Sequence, residues 1–305
     1  MKALLIIIFI LISLAINAQQ IPQFSQRMID EVVFNPAAVG TKNYSEIILH
    51  HRSQWVGFDN APVTQALSYN GRIAKEKMGL GGFILNDITG PTRKFSLNLI
   101  YTYQVKFEKF NMSLGLAGNI IQYGVDGSKI TLHENNDNLI AEKLSDKVIK
   151  PDASFGVYFY NDKFYAGLSA LQLFQSQSKL SFDQNHEAKV PLIQHYYLTS
   201  GFNIKINKKT FFQPSILFSS TFGSPSQIDL NLKMMHHNKI FYGLTYRYND
   251  AAVILVGIKI KDMFVVSYSY DVVISKLRTY NSGSHEIILA FDIKQAKSKK
   301  SKTKI

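Results

Sequence analysis

The sequence predicts an all-β fold: a transmembrane antiparallel up-and-down barrel of about fourteen strands. Three observations carry this. Between Ser45 and Lys294, runs of roughly ten residues alternate apolar and polar side chains at period two, the spacing of a strand with one face in an apolar medium. The links between runs also alternate: short ones near Ala74 to Lys77, Glu108 to Phe110, Asn161 to Lys163, Asn207 to Lys209, His237 to Lys239 and Lys261 to Met263 all contain lysine, and nearly all the others are longer and more varied. Successive links of a meander fall on opposite sides, so the two sides face different surroundings. Finally, the polar faces carry Arg247, Lys259 and Asp271, which a dry sandwich core would bury at several kcal/mol each if left unpaired.

In chain order, Lys2, the apolar run Ala3 to Ile16 and then Asn17-Ala18 read as a secretory signal, residues 1–18, cleaved after Ala18. The run is too short for a spanning helix, and no later stretch is apolar enough to be one. Residues 19–43 differ in kind. Phe24, Met28 and Val32 recur at four-residue spacing, which suggests a short helix ended by Asn35-Pro36. Two readings stay open for this leader: a plug lining the periplasmic mouth, or a linker lying under the barrel.

The barrel proper spans residues 44–294, with strands starting near Ser45, Thr64, Met78, Lys94, Asn111, Asp152, Lys163, Gln194, Phe211, Gln227, Lys239, Ala251, Met263 and His285. Phe95, Leu97, Leu99, Tyr101 and Tyr103 oppose Ser96, Asn98, Thr102 and Gln104; Ile240, Tyr242, Leu244 and Tyr246 oppose Gly243, Thr245 and Arg247. Tyrosines and phenylalanines gather toward strand ends, where interfacial girdles lie. An even strand count puts both ends on one side, the periplasm for an outer-membrane barrel, together with every lysine-bearing turn. The long links then face outward, and Asn249-Asp250 is expected to be the lone short outer link.

The formal charge of +12 suggests nucleic acid until its distribution is considered. Residues 295–305 form a basic tail expected to be disordered, with Lys297, Lys299, Lys300, Lys302 and Lys304 following Lys294. Subtracting these six and Lys2 from +12 leaves +5 for the body, so a nucleic-acid partner is not expected. The chain has no cysteine, which excludes disulfides, thiolate sites and a lipoprotein anchor. No metalloprotease, P-loop or dinucleotide motif occurs; Gly167-Leu168-Ser169 lacks the closing glycine of a nucleophile elbow. His50-His51 and His236-His237 point to opposite faces of their strands, and nothing brings His133, His186 and Asp183 together. No enzyme activity, cofactor or metal is expected.

Four blocks are too particular to come from alternation alone: Asn35-Pro36-Ala37-Ala38-Val39-Gly40; Arg52-Ser53-Gln54-Trp55-Val56-Gly57-Phe58 leading to Ala61-Pro62-Val63-Thr64; Met78-Gly79-Leu80-Gly81-Gly82 leading to Asn86-Asp87-Ile88-Thr89-Gly90-Pro91; and Tyr270-Asp271 with Gly283-Ser284-His285-Glu286-Ile287. Together with Pro22-Gln23-Phe24-Ser25 they resemble the PorP/SprF family of outer-membrane barrels of the type IX secretion system. The resemblance implies a secretion or gliding-motility component in the outer-membrane lipid. Its implied partners are periplasmic ring proteins, a peptidoglycan-binding lipoprotein and, for some members, large secreted adhesins. It nominates Phe24, Asn35, Pro36, Gly40, Arg52, Trp55, Gly57 and Pro62 as partner-binding positions, and the charge pattern adds Lys208, Lys209, Lys297, Lys299 and Lys300. The turn lysines Lys75, Lys77, Lys109, Lys163, Lys239 and Lys261 belong to the same basic face. A diffusion channel for small solutes and a structural or adhesive barrel are the alternatives. The glycines at 79, 81 and 82 suggest close approach, by a neighbouring strand or by a plug.

Overall fold

Period-two alternation becomes one sheet that closes on itself. The computed structural model describes residues 21–73, 77–129, 145–181, 187–222 and 224–294. Its strands are β1 (Tyr44–Ser53), β2 (Val63–Ile73), β3 (Met78–Thr89), β4 (Thr92–Lys106), β5 (Asn111–Asp126), β6 (Ser145–Tyr160), β7 (Phe164–Leu171), β8 (Gln177–Ser181), β9 (Glu187–Pro191), β10 (His195–Phe202), β11 (Ile204–Lys205), β12 (Thr210–Thr221), β13 (Ser224–His236), β14 (Ile240–Arg247), β15 (Ala251–Ile260), β16 (Phe264–Val273) and β17 (Ser284–Lys294). Fourteen of these form the wall. β11 is a short extra strand beside β12, and β8 and β9 make a separate hairpin. Every wall pair is antiparallel, and the circle closes where β1 meets β17, with Tyr44 opposite Lys294 and Ser53 opposite His285. Closure leaves the wall without a sheet edge, as hydrocarbon demands.

The two faces differ as the sequence predicts. Leu99 is 66% exposed on the outside, whereas Thr102, on the inner face of the same strand, is 0% exposed. Leu168, Leu244 and Ile254 point outward; Ser169, Thr245 and Asp271 are buried inside. At the end that carries the short links, aromatic pairs such as Phe107 with Phe110, Phe164 with Phe202 and Phe264 with Phe291 lie where a membrane interface would meet the wall.

We name the two rims by their links. The turn end carries 74–77, 107–110, 161–163, 203–209, 237–239 and 261–263; the loop end carries 54–62, 90–91, 127–144, 172–194, 222–223, 248–250 and 274–283. The loop end therefore has three short links, not the lone Asn249-Asp250. β3 and β4 extend to Thr89 and Thr92 and turn through Gly90-Pro91, where Gly90 takes φ 56°, and β12 and β13 reach Thr221 and Ser224. β6 also starts earlier than expected, because its ladder with β5 continues to Asp126 opposite Ser145.

The leader does not form the helix that its four-residue spacing suggests. Residues 21–43 run through successive turns, with Ile29 N–H donating to Gln26 O and Phe34 N–H to Glu31 O. Its one described helical turn is a 3₁₀ turn, Pro36–Ala38. Asn35-Pro36 thus begins a helical turn instead of ending one: Asn35 Oδ1 accepts from Ala37 N–H, and Pro36 stands where no donor is needed.

Candidate functional site

The leader lies inside the barrel and crosses it from end to end. Ile21 donates its N–H to His195 Nε2 at the loop-end start of β10, and Gly40 meets Asn70, Arg72 and Gln104 toward the turn end. The ends of the sheet, Tyr44 and Lys294, sit together at the turn end, across the barrel from Ile21.

In the loop-end half the leader is held by charge. Glu286 of β17 accepts the N–H groups of Ser25 at 2.6 Å and Gln26 at 3.2 Å, and Asp271 of β16 accepts the Ser25 hydroxyl at 2.7 Å. Arg52 of β1 bridges both acids, 2.8 Å from Asp271 and 3.3 Å from Glu286. Arg247 reaches Asp271 and Asp250, and Arg27 of the leader reaches Asp229. Lys259 pairs with Asp292 at 2.6 Å, so all three inward charges that argued against a dry core are partnered. Lower down, Asp30 accepts from His50 Nε2 at 3.0 Å and Ser68 Oγ at 2.6 Å. Glu31 accepts the Tyr158 hydroxyl at 2.6 Å.

In the turn-end half the leader is held by shape. A side chain at Gly115 would land on Ala37, and one at Gly156 on Asn35. Cβ atoms at Gly79 and Gly81 would crowd Val39 of the leader, whereas one at Gly82 would meet Asn98 O of neighbouring β4, so both expected close approaches occur at the glycine-rich start of β3. Wall side chains also take the leader's carbonyls: Ser169 donates to Phe34 O, Thr102 to Val39 O and Arg72 to Gly40 O and Thr41 O. Backbone groups engaged this way are not available to a helix ladder. Gly40, at φ 73°, turns the chain toward β1.

The nominated residues fall into three places. Phe24, Asn35, Pro36, Gly40 and Arg52 lie inside the lumen; Phe24 packs edge-on against Phe34 and His50. Trp55, Gly57 and Pro62 belong to the loop-end link 54–62, where Trp55 N–H donates to Ser284 Oγ and Pro62 O accepts from Gln54 N–H. Lys208 and Lys209 are exposed at the turn end, as are Lys77, Lys109, Lys163, Lys239 and Lys261. Lys75, His133, Asp183, His186, Lys297, Lys299 and Lys300 lie outside the described residues. Sequence reading missed Asp30, His50 and Glu286 as leader contacts. An acid and a histidine on inward positions were visible, but not that they face one segment. Among the described residues no group of three or more His, Asp or Glu could hold a metal.

Among the described residues, a vestibule of about 340 Å³ lies beside the leader, rimmed at the turn end by Asn161 and Asn203. Cavities further toward the loop end hold about 30–40 Å³ each.

A closed barrel, apolar outside and filled by its own leader, defines a membrane β-barrel of the outer-membrane type. Residues 16–291 match the family described as type IX secretion system membrane protein PorP/SprF, and the chain belongs to that family. Solved structures agree on the fold. A FadL homologue from Pseudomonas aeruginosa is 10% identical, with 87% of this chain and 94% of that one covered at a TM-score of 0.51. The toluene transporter TbuX from Ralstonia pickettii is 11% identical, with 87% and 93% covered at 0.50. No curated protein matches the chain.

Proposed function

We propose that this barrel is a non-enzymatic component of type IX secretion and gliding motility. Its turn end faces the periplasm and docks the ring proteins and peptidoglycan-binding lipoprotein, and it supports export or surface attachment of partner proteins such as large adhesins. The observation that carries the reading is the filled lumen: among the described residues, cavities of about 30–40 Å³ lie between the vestibule and the loop end, which favours a barrel that offers partners two rims over an open pore. Seven described lysines at the turn end, Lys77, Lys109, Lys163, Lys208, Lys209, Lys239 and Lys261, are exposed and give that rim a positive field for an acidic partner or anionic lipid. Deleting the gene should impair secretion of C-terminal-signal proteins or surface spreading, and intact secretion and spreading would remove the proposal. Reversing Lys109, Lys163, Lys208, Lys209, Lys239 and Lys261 to glutamate should reduce recovery of the periplasmic partners at low salt. Unchanged recovery would remove docking by charge.

A further inference from the structure

Beside the β1–β17 seam the apolar outer wall continues past the loop-end rim. On β16, Val266, Tyr268 and Val272 point outward and are exposed, and Ile274, just beyond the strand's end, prolongs the stripe. Link 274–283 carries it on through the 3₁₀ turn Lys276–Tyr280. Three residues per turn place Leu277 and Tyr280 on one face, with Lys276 to one side and Arg278 to the other. Tyr280 is 70% exposed and meets Phe58 of link 54–62 edge-on at 6.5 Å. Hydrogen bonds fix this platform to the wall and to its neighbour: the Tyr270 hydroxyl donates to Ser282 O at 2.7 Å, Val56 N–H to Gly283 O and Ser282 N–H to Val56 O. Charge gathers at the same place. Across links 54–62, 90–91, 222–223, 248–250 and 274–283, the cations are Lys276 and Arg278. Both are exposed, and among the described residues neither pairs with Asp59 or Asp250, the acids of these links; Asp250 is held by Arg247 at 3.2 Å. An apolar stripe continuous with the lipid-facing wall thus ends at two cations without a counter-ion.

We infer that this platform binds a phosphate-bearing anionic lipid of the leaflet at the loop end. Its acyl chain lies along the β16 stripe, and its phosphate accepts charge-assisted bonds from Lys276 and Arg278, whose long stems lift their charged heads from an apolar base to the headgroup level. A free phosphate would leave the stripe unused, and a water-soluble partner could not follow the stripe down to Val266 and Tyr268 on the lipid-facing wall. An anionic lipid uses both parts. The proposed orientation of the barrel decides only which leaflet supplies it.

Trp55, the chain's one tryptophan, stands in link 54–62 beside the platform and gives a local readout that lipid at the turn end does not reach. The test titrates the purified full-length barrel in neutral detergent with phosphatidylglycerol or phosphatidylcholine, each brominated in its acyl chains, and follows quenching of Trp55 fluorescence. Phosphatidylglycerol should quench at about tenfold lower concentration. The pair Lys276→Gln with Arg278→Gln should bring the two lipids level, whereas Lys205→Gln, at the turn end, should keep the difference. Equal quenching by both lipids, quenching by neither, or a preference that survives the double substitution would each overturn the site. Tyr280→Ser checks the apolar half: it should weaken both lipids alike, and unchanged quenching overturns the placement of the acyl chain. Excess inorganic phosphate should leave the quenching in place; its loss would reduce the platform to a bare anion site and overturn the lipid. If the lipid preference is absent while charge reversal at the turns still blocks partner recovery, the lipid site falls and the docking role stands.

Discussion

Glu286 binds the leader through two main-chain N–H groups and the wall through Arg52. Its removal strands both, and a buried ion pair broken on one side costs about 3–5 kcal/mol. Glu286→Ala should therefore raise hydrogen exchange at Ser25 and Gln26 well before it affects the wall ladders. Equal protection in both proteins would show that the contact is incidental. At this scale the sequence was partly legible. Arg247 and Asp271 could be recognised as inward charges by alternation, whereas their mutual contact at 3.4 Å depends on strand stagger, which no local pattern encodes.

The leader is the element whose reading changed most. Phe24, Met28 and Val32 carry a helical spacing, yet side chains take their backbone groups: Arg27 donates to Phe24 O, Lys233 of the wall to Met28 O, and Val32 N–H donates to Asp30 Oδ1, while Val32 packs with Val39, Ile100 and Ala117. Periodicity reports which residues are apolar, and long-range partners decide what conformation buries them. Wall strands suffer no such competition, since each hydrogen-bonds to the next in sequence; their starts were legible to within a few residues, and β6 departs only where its ladder outruns the visible alternation. Shape complementarity at the 3₁₀ turn gives a sharp prediction. Gly115→Val would place a branched side chain on Ala37, and overpacking of this kind costs roughly 1–3 kcal/mol. It should expose residues 35–40 to protease while the wall stays folded; an unaltered digest would argue that the leader has room to shift.

For the molecule as a whole, the alternation of short and long links carried the parity, and parity carried the barrel. The sequence could not reveal what fills it, because the lumen face is polar whether it meets water or a polar plug. The filled lumen predicts low conductance: reconstituted barrel should pass little current, and the pair Arg52→Ala with Ser25→Ala should raise it by loosening the loop-end contacts. A wild-type barrel with steady porin-like current would contradict the seal. The seam where β1 meets β17 has one last consequence. Arg52 belongs to one seam strand and Glu286 to the other, and the leader's Ser25 touches both. The segment that reaches Ile21 at the loop end is enclosed on all sides once that seam is zipped. The two seam strands therefore meet around one leader residue, and the socket that holds Ser25 is complete only when β17 has joined β1.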